Sequence, residues 1–315
     1  MKKINKVGLI GLGNWGLKIY KTIIKDFPNL KISCIAVKTG KNLKYTQRNF
    51  NIYKNWKTMI NKESLDFIFV AVPPKDNFVI FKKVLKKKIP LFIEKPMTTD
   101  IEEAKKMLGM YKKYKNIVQV NHIDLFNNAI QFLLKKKKKI KKIFFQISSP
   151  SIGKKYISPF FDLAPHPLAV ILSLFKSEPK TLYAKKIYIS KKTTKFLKKK
   201  RELINLKMKF TKGRSAEIIV GNGTLKKIRQ AKFFTEKNIF FYNNRSKNLL
   251  TKIEKYKKKI YQKVKNEPSL RSSIDYFIKR KTKKDNDVEL GTKVLKVMNL
   301  SIESLKKNKE LTKNL

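Results

Sequence analysis

Apolar and polar positions change rhythm about a third of the way along the chain. Up to residue 121, short continuous apolar runs alternate with stretches of helical period. The runs are "KVGLIGLG" (6–13), "LKISCIAV" (30–37), "LDFIFVAVPP" (65–74), "PLFIEKP" (90–96) and "NIVQVNH" (116–122). Runs of this kind read as strands buried on both faces. Between them, Leu17, Tyr20, Ile23 and Ile24 share one helical face, and Phe78, Phe81, Val84 and Leu85 another. "IEEAKKMLGMYKKY" (101–114) is a third helix of the same kind. Strands separated by helices predict a parallel sheet with helices on both faces.

Beyond that point the strands crowd together. A helix from Asn127 to about Leu134 is followed by "IKKIFFQISS", "KTLYAKKIYIS", "INLKMKFTK", "RSAEIIVGNG", "KKIRQAKFFTE" and "NIFFYNN". Close-set alternating segments predict a large, mostly antiparallel sheet with one open face, an α+β arrangement. "GNG" at 221–223 reads as a hairpin turn, and one helix, near 164–175, interrupts the strands. Leu290, Val294, Val297, Met298, Ile302 and Leu305 line one face of a closing helix over 288–307. Two domains are therefore expected, 1–121 and 122–315. A length of 315 residues agrees with two cores.

Composition adds limits. Hydrophobic residues make up 42 % of the chain, with 21 Phe and 12 Tyr, enough for ordinary globular burial. The longest apolar-leaning run, "FFDLAPHPLAVILSLF" (160–175), contains Asp162, His166 and two prolines and is too short to span a bilayer. The charged start runs at once into a glycine-rich turn, unlike a cleavable leader. The lone Cys34 can form no internal disulfide, and a cytoplasmic protein is expected. The net charge of +54 comes overwhelmingly from lysine, in a chain also rich in Ile, Asn and Phe. An AT-rich coding sequence imposes that profile on surfaces. The tracts Lys135–Lys139 and 197–201 lack the aromatic interleaving of a base-stacking surface. A nucleic-acid partner is not expected.

Three motifs carry chemistry. "GLGNWG" places Gly11, Gly13 and Gly16 at a strand-to-helix turn, with Asn14 and Trp15 opening the helix. Gly11 permits the turn, Gly13 lets backbone approach a pyrophosphate, and Gly16 lets helix and strand pack closely. The first domain is thus expected to be a doubly wound Rossmann domain holding a dinucleotide. At the end of the second strand an NAD site usually has Asp or Glu. Here no carboxylate occurs between Asp26 and Glu63, and Lys38, Thr39 and Lys41 favour the 2′-phosphate of NADP over NAD. The other two motifs are "EKP" (94–96), a lysine held between a strand end and a proline, and Asp162 with His166, four residues apart. One Cys and two His give no metal-ligand spacing, so no metal is expected.

The glycine turn, "VAVPP" (70–74) and "EKP" together resemble the glucose-fructose oxidoreductase / inositol dehydrogenase (Gfo/Idh/MocA) family. "VQVNHIDLFNNAIQFLL" (118–134) is similar to that family's V-G-H-x-x-x-[FY]-N-P-A segment, with Asn121 and Asn128 departing from it. "DLAPHPLAVILSLF" (162–175) resembles its D-[LI]-[GA]-x-H element, and the C-terminal helix is similar as well. The resemblance implies that Val72, Pro73, Glu94 and Lys95 lie beside the cofactor. It also implies that Lys95, Asp162 and His166 are catalytic, in oxidation of a sugar, cyclitol or nucleotide sugar by a homodimer or homotetramer. The chemistry agrees: His166 suits an acid/base, Asp162 its orienter or proton partner, and Lys95 a group that polarises the hydroxyl. His122 and Asp124 are candidate substrate ligands. Two other readings stay open: an inactive dinucleotide-sensing protein, and a polyanion-binding protein.

Overall fold

The computed structural model describes residues 4–47, 49–150, 156–189, 201–254, 259–280 and 287–312. Its chain divides into two compact units, one of residues 1–123 and 268–292, the other of 124–267 and 293–315. The first unit is thus not contiguous, unlike the simple division at 121/122.

Six parallel strands form the first unit's sheet: β1 (Asn5–Ile10), β2 (Leu30–Ala36), β3 (Asn51–Tyr53), β4 (Phe67–Val70), β5 (Leu91–Glu94) and β6 (Val118–Asn121), in the order 3-2-1-4-5-6. That is the doubly wound order, reversing between β1 and β4. Helices α1 (Asn14–Asp26), α2 (Trp56–Lys62), α3 (Asn77–Lys86) and α4 (Ile101–Tyr114) connect the strands. The short edge strand β3 and α2 escape the sequence pattern because Asn51–Tyr53 is mostly exposed and three residues show no period. Helix α8 (Ser269–Lys279) explains the returning segment: Phe277 packs 5.4–5.5 Å, ring to ring, from Phe67, Phe69 and Phe92. Burying such a ring contributes roughly 2–3 kcal/mol, enough to hold a remote helix on the sheet.

The second unit has a nine-stranded sheet. Its strands are β7 (Lys142–Ser148), β8 (Thr181–Lys186), β9 (Leu203–Lys209), β10 (Ser215–Gly221), β11 (Ile228–Phe234), β12 (Asn238–Asn243), β13 (Leu250–Glu254), β14 (Lys259–Tyr261) and β15 (Leu311–Thr312). All neighbours are antiparallel except β7 and β10. That pair corrects one expectation. β7 lies between β10 and β11, so "GNG" starts a connection passing over β7 and is not a hairpin turn. Gly221 is required for another reason: its φ is 150°, and a Cβ there would stand 2.2 Å from the Glu202 carbonyl oxygen. The helices are α5 (Asn128–Lys135), α6 (Pro159–Leu163), α7 (Pro165–Phe175) and α9 (Asp287–Lys307), whose first residues belong to the first unit. Residues 197–200 of the second lysine tract lie outside the described residues. Among the described residues no helix is long and apolar enough to cross a membrane.

Candidate active site

In the first unit, β1 delivers the chain into the glycine turn. Gly11 has φ of 90°, and a Cβ on it would lie 2.5 Å from the Ala71 carbonyl oxygen and 2.9 Å from Val72 Cγ1. A Cβ on Gly16 would lie 2.1 Å from the Gly11 carbonyl oxygen. These two glycines are needed by the fold itself. Gly13 differs: a Cβ there meets nothing within 4 Å, and this residue caps α1 with no side-chain hydrogen bond to the helix. Open space in front of an uncapped helix N-terminus suits a pyrophosphate. Asn14 and Trp15 form the first turn of α1, and the buried Trp15 indole N–H has no hydrogen-bond partner. The residues present therefore fit a dinucleotide, with Val72 and Pro73 on the neighbouring loop.

Past β2, Lys38, Thr39 and Lys41 are exposed. Asn42 donates from Nδ2 to the Leu12 carbonyl at 2.8 Å, which ties this loop to the glycine turn. The fold also brings a carboxylate that sequence position does not reveal. Asp76, in the 3-10 turn after β4, lies 3.5 Å from Lys38 Nζ. With Lys38 at 78 % exposure, this pair is loosely held.

β5 ends at Glu94, and a buried polar chain fixes the residues that follow. Asn121 Nδ2 donates to Glu94 Oε1 at 2.6 Å, Ser273 Oγ to Asn121 Oδ1 at 2.7 Å, and Gln119 Nε2 to Ser273 Oγ at 2.8 Å. Asn121, which departs from the family segment, thus has a partner of its own on α8. Pro96 is buried and its carbonyl accepts from Asn77 at 3.4 Å. The Lys95–Pro96 peptide bond is cis. Thr98 bonds Glu103 in α4 at 2.5 Å, and Asp100 caps that helix. Half-buried Lys95 is therefore anchored at its backbone on both sides. Replacing Asn121 with Ala removes a hydrogen bond from a buried carboxylate and another from Ser273. It is expected to lower unfolding free energy by about 2 kcal/mol in urea melts.

The second unit brings together residues that the sequence leaves apart. Asn127 caps α5 by accepting from Ala129 N at 3.0 Å, and the 3-10 turn before it (Ile123–Phe126) carries Asp124. His166 lies in the first turn of α7. Its Nδ1 is 2.5 Å from Asp124 Oδ2, while Arg229 Nη2, from β11, is 2.5 Å from both carboxylate oxygens. Arg229 Nη2 is also 3.1 Å from His166 Nδ1. An ionised carboxylate only accepts, so Nδ1 carries a proton donated to Asp124, and the 3.1 Å approach is not itself a hydrogen bond. The proton-accepting nitrogen is then Nε2. Burial opposes the Asp124 charge, but the Arg229 guanidinium and His166 outweigh it and hold the carboxyl well below its usual range.

This arrangement bears on two of the expected residues. Asp162 is half-buried on α6, which is positioned by Ser158 capping Phe161 N and Glu202 accepting from Phe160 N. The carboxylate on His166 Nδ1 is Asp124. Asp124 has both oxygens engaged within the protein, Oδ2 by His166 and Arg229 and Oδ1 by Arg229. Pro165 and Pro167 sit in the first turn of α7, where a missing N–H does no harm; they divide α6 from α7 without straining either. His122, at 3 % exposure, is buried at the end of β6, which suits a structural role. No local pattern marks Arg229 in β11. One signal for it existed: only seven of the 76 basic residues are arginine. In a lysine-biased chain an arginine marks a place needing a planar fork of donors. Among the described residues no group of three His, Cys, Asp or Glu is placed to hold a metal ion.

Comparison with known proteins agrees with this fold. Residues 5–122 match the family model of Gfo/Idh/MocA, an oxidoreductase family with an NAD-binding Rossmann fold. A 69-residue stretch is 29 % identical to the UDP-N-acetylglucosamine 3-dehydrogenase of Acidithiobacillus ferrooxidans, covering 22 % of each chain. The solved structure of that enzyme superposes with a TM-score of 0.81 at 16 % identity, over 96 % of this chain and 98 % of that one. Scyllo-inositol dehydrogenase from Lactobacillus casei, with bound NAD(H) and scyllo-inositol, gives 0.80 at 16 % identity, over 98 % and 99 %. Identities this low establish a shared fold. The family match itself covers the N-terminal domain, residues 5–122, and the solved structures extend the shared fold over the rest of the chain.

Proposed function

We propose that this chain is a nicotinamide-dependent dehydrogenase acting on a secondary alcohol of a sugar, cyclitol or nucleotide sugar. The observation that carries this reading is His166, held by Asp124 with Nδ1 protonated and Nε2 as the proton acceptor. His166 takes the hydroxyl proton, and the Asp124 carboxylate stabilises the imidazolium that forms. The Lys95 ammonium polarises the alcohol oxygen and lowers its pKa, and Asp162 serves as proton partner. A bound nicotinamide supplies the hydride acceptor, held by Gly11, Gly13, Asn14, Trp15, Gly16, Val72, Pro73 and Glu94. Lys38, Thr39 and Lys41 select NADP over NAD. A reducing cytoplasmic setting belongs to the same reading, with Cys34 buried as a thiol. Nicotinamide reduction during incubation with inositols, free sugars and UDP-sugars tests it; no turnover with any of them would count against an active enzyme.

Gly13 gives a sharper check on the cofactor. Gly13→Ala adds a methyl group to open space, so the melting temperature should stay within about 2 °C while dinucleotide affinity falls at least about tenfold. Equal losses in both would mean that Gly13 serves the fold alone.

The open face of the nine-stranded sheet belongs to the same proposal. Phe144 and Phe241 stand on this face, only half-buried, flanking the exposed Lys232 that pairs with both. Partly wet aromatic rings on a sheet favour a second copy as cover. A homodimer or homotetramer is expected in light scattering, and a monomer at micromolar concentration would contradict it.

A further inference from the structure

Arg229 holds Asp124 in an unusual manner. Arginine commonly engages a carboxylate through two nitrogens. Here Nη2 alone serves both oxygens, and Arg229 Nε–H, buried, has no hydrogen-bond partner. One strand over, the hydroxyl of Tyr242 is in the same state: the residue is 1 % exposed and its O–H is buried without a partner. The two side chains share a sheet face. Tyr242 pairs with Ala231, two residues from Arg229, and Ala231 pairs in turn with Phe145, whose ring lies 6.5 Å from that of Tyr242. Burial and the nearby Asp124 charge push the Tyr242 hydroxyl upward, so it stays protonated and a donor. Two buried donors left without acceptors beside an acid/base histidine are costly unless something accepts from them.

We propose that Arg229 and Tyr242 read the substrate: Arg229 Nε–H and Tyr242 O–H donate to an acceptor-only oxygen carried near the reacting carbon, an N-acyl carbonyl or a carboxylate. A plain hydroxyl is the poorer match. It brings a proton of its own, and Arg229 Nε–H can only donate. Arg229 and Asp124 cancel in charge, so a neutral N-acyl carbonyl requires no further counter-charge. This inference rests on the dehydrogenase reading and specifies its substrate class.

The test uses the full chain and three matched probes, UDP-N-acetylglucosamine, UDP-glucuronate and UDP-glucose, in calorimetric titrations. One of the two acceptor-bearing sugars should bind about tenfold or more tighter than UDP-glucose. Tyr242→Phe should narrow that gap to within about threefold. Arg229→Lys, which keeps a positive charge on Asp124 but lacks the Nε–H, should narrow it too. Melting curves of Tyr242→Phe establish that it folds. Equal binding of all three sugars overturns the proposal, as does no binding of any. So does a Tyr242→Phe variant that weakens all sugars by one factor or weakens none. Nicotinamide turnover measured alongside separates the two readings. The predicted affinity gap without turnover removes the dehydrogenase and leaves the reading pair, and turnover without the gap does the reverse.

Discussion

Asp124→Asn should lower kcat by two to four orders of magnitude, although the substitution changes almost no volume. The reason lies in the direction of one hydrogen bond. The carboxylate accepts from His166 Nδ1 at 2.5 Å, which fixes the proton on that nitrogen. A carboxamide that keeps its oxygen toward Arg229 turns its NH2 to the ring. Nδ1 must then accept, the proton moves to Nε2, and the base is lost; the buried carboxylate of a Ser-His-Asp triad shows the same dependence, about 10⁴-fold. Stability falls as well. Arg229 is left without its counter-charge, and breaking a buried pair costs about 3 kcal/mol. The pH dependence has a definite sign. Because the folded carboxyl lies below its unfolded value, its contribution is present above the ordinary carboxylate range and lost as pH falls through the folded value. Acid unfolding of the wild type should therefore be steeper than that of Asp124→Asn, read by circular dichroism across a pH series. Parallel curves would place the charge of Asp124 outside the stability balance.

Lys95→Met is expected to reduce turnover about a thousandfold while leaving the protein folded and its dinucleotide affinity within about threefold. Methionine matches the length of the lysine stem but brings no charge, so the lost quantity is stabilisation of the developing alkoxide. The backbone anchors survive the change: the Glu94–Asn121 bond, the buried Pro96 and the Thr98–Glu103 bond do not involve the lysine side chain. Steady-state kinetics with nicotinamide fluorescence titration separates the effects. A rise in KM alone would make Lys95 a binding residue.

The parallel unit was legible because its strands are buried on both faces and appear as unbroken apolar runs. The glycine turn was legible because two of its glycines are required by backbone approaches of 2.1 and 2.5 Å. What stayed hidden depends on contacts across long separations. The order of β10, β7 and β11 is set by pairing, and "GNG" carries the same letters whether it closes a hairpin or crosses a strand. Helix α8 returns to the first unit through Phe277, one aromatic residue among many. In the candidate site, Asp162 and His166 drew notice through their helical spacing. The carboxylate on His166 Nδ1 instead lies 42 residues away and is clamped by an arginine a further 105 residues on from it. No local pattern marks such a partnership, because each member serves a different element. Asn121, read as a departure from the family segment, has a local physical reason in its bonds to Glu94 and Ser273.

The most direct measurement is a titration of the purified chain with NADPH and with NADH, following nicotinamide fluorescence, with UDP-sugars and inositols then added to the saturated oxidised form. Saturable binding with NADPH the tighter ligand, followed by reduction with at least one alcohol, is the result this account predicts. Binding of neither dinucleotide would contradict it at its centre, leaving a Rossmann fold without its cofactor.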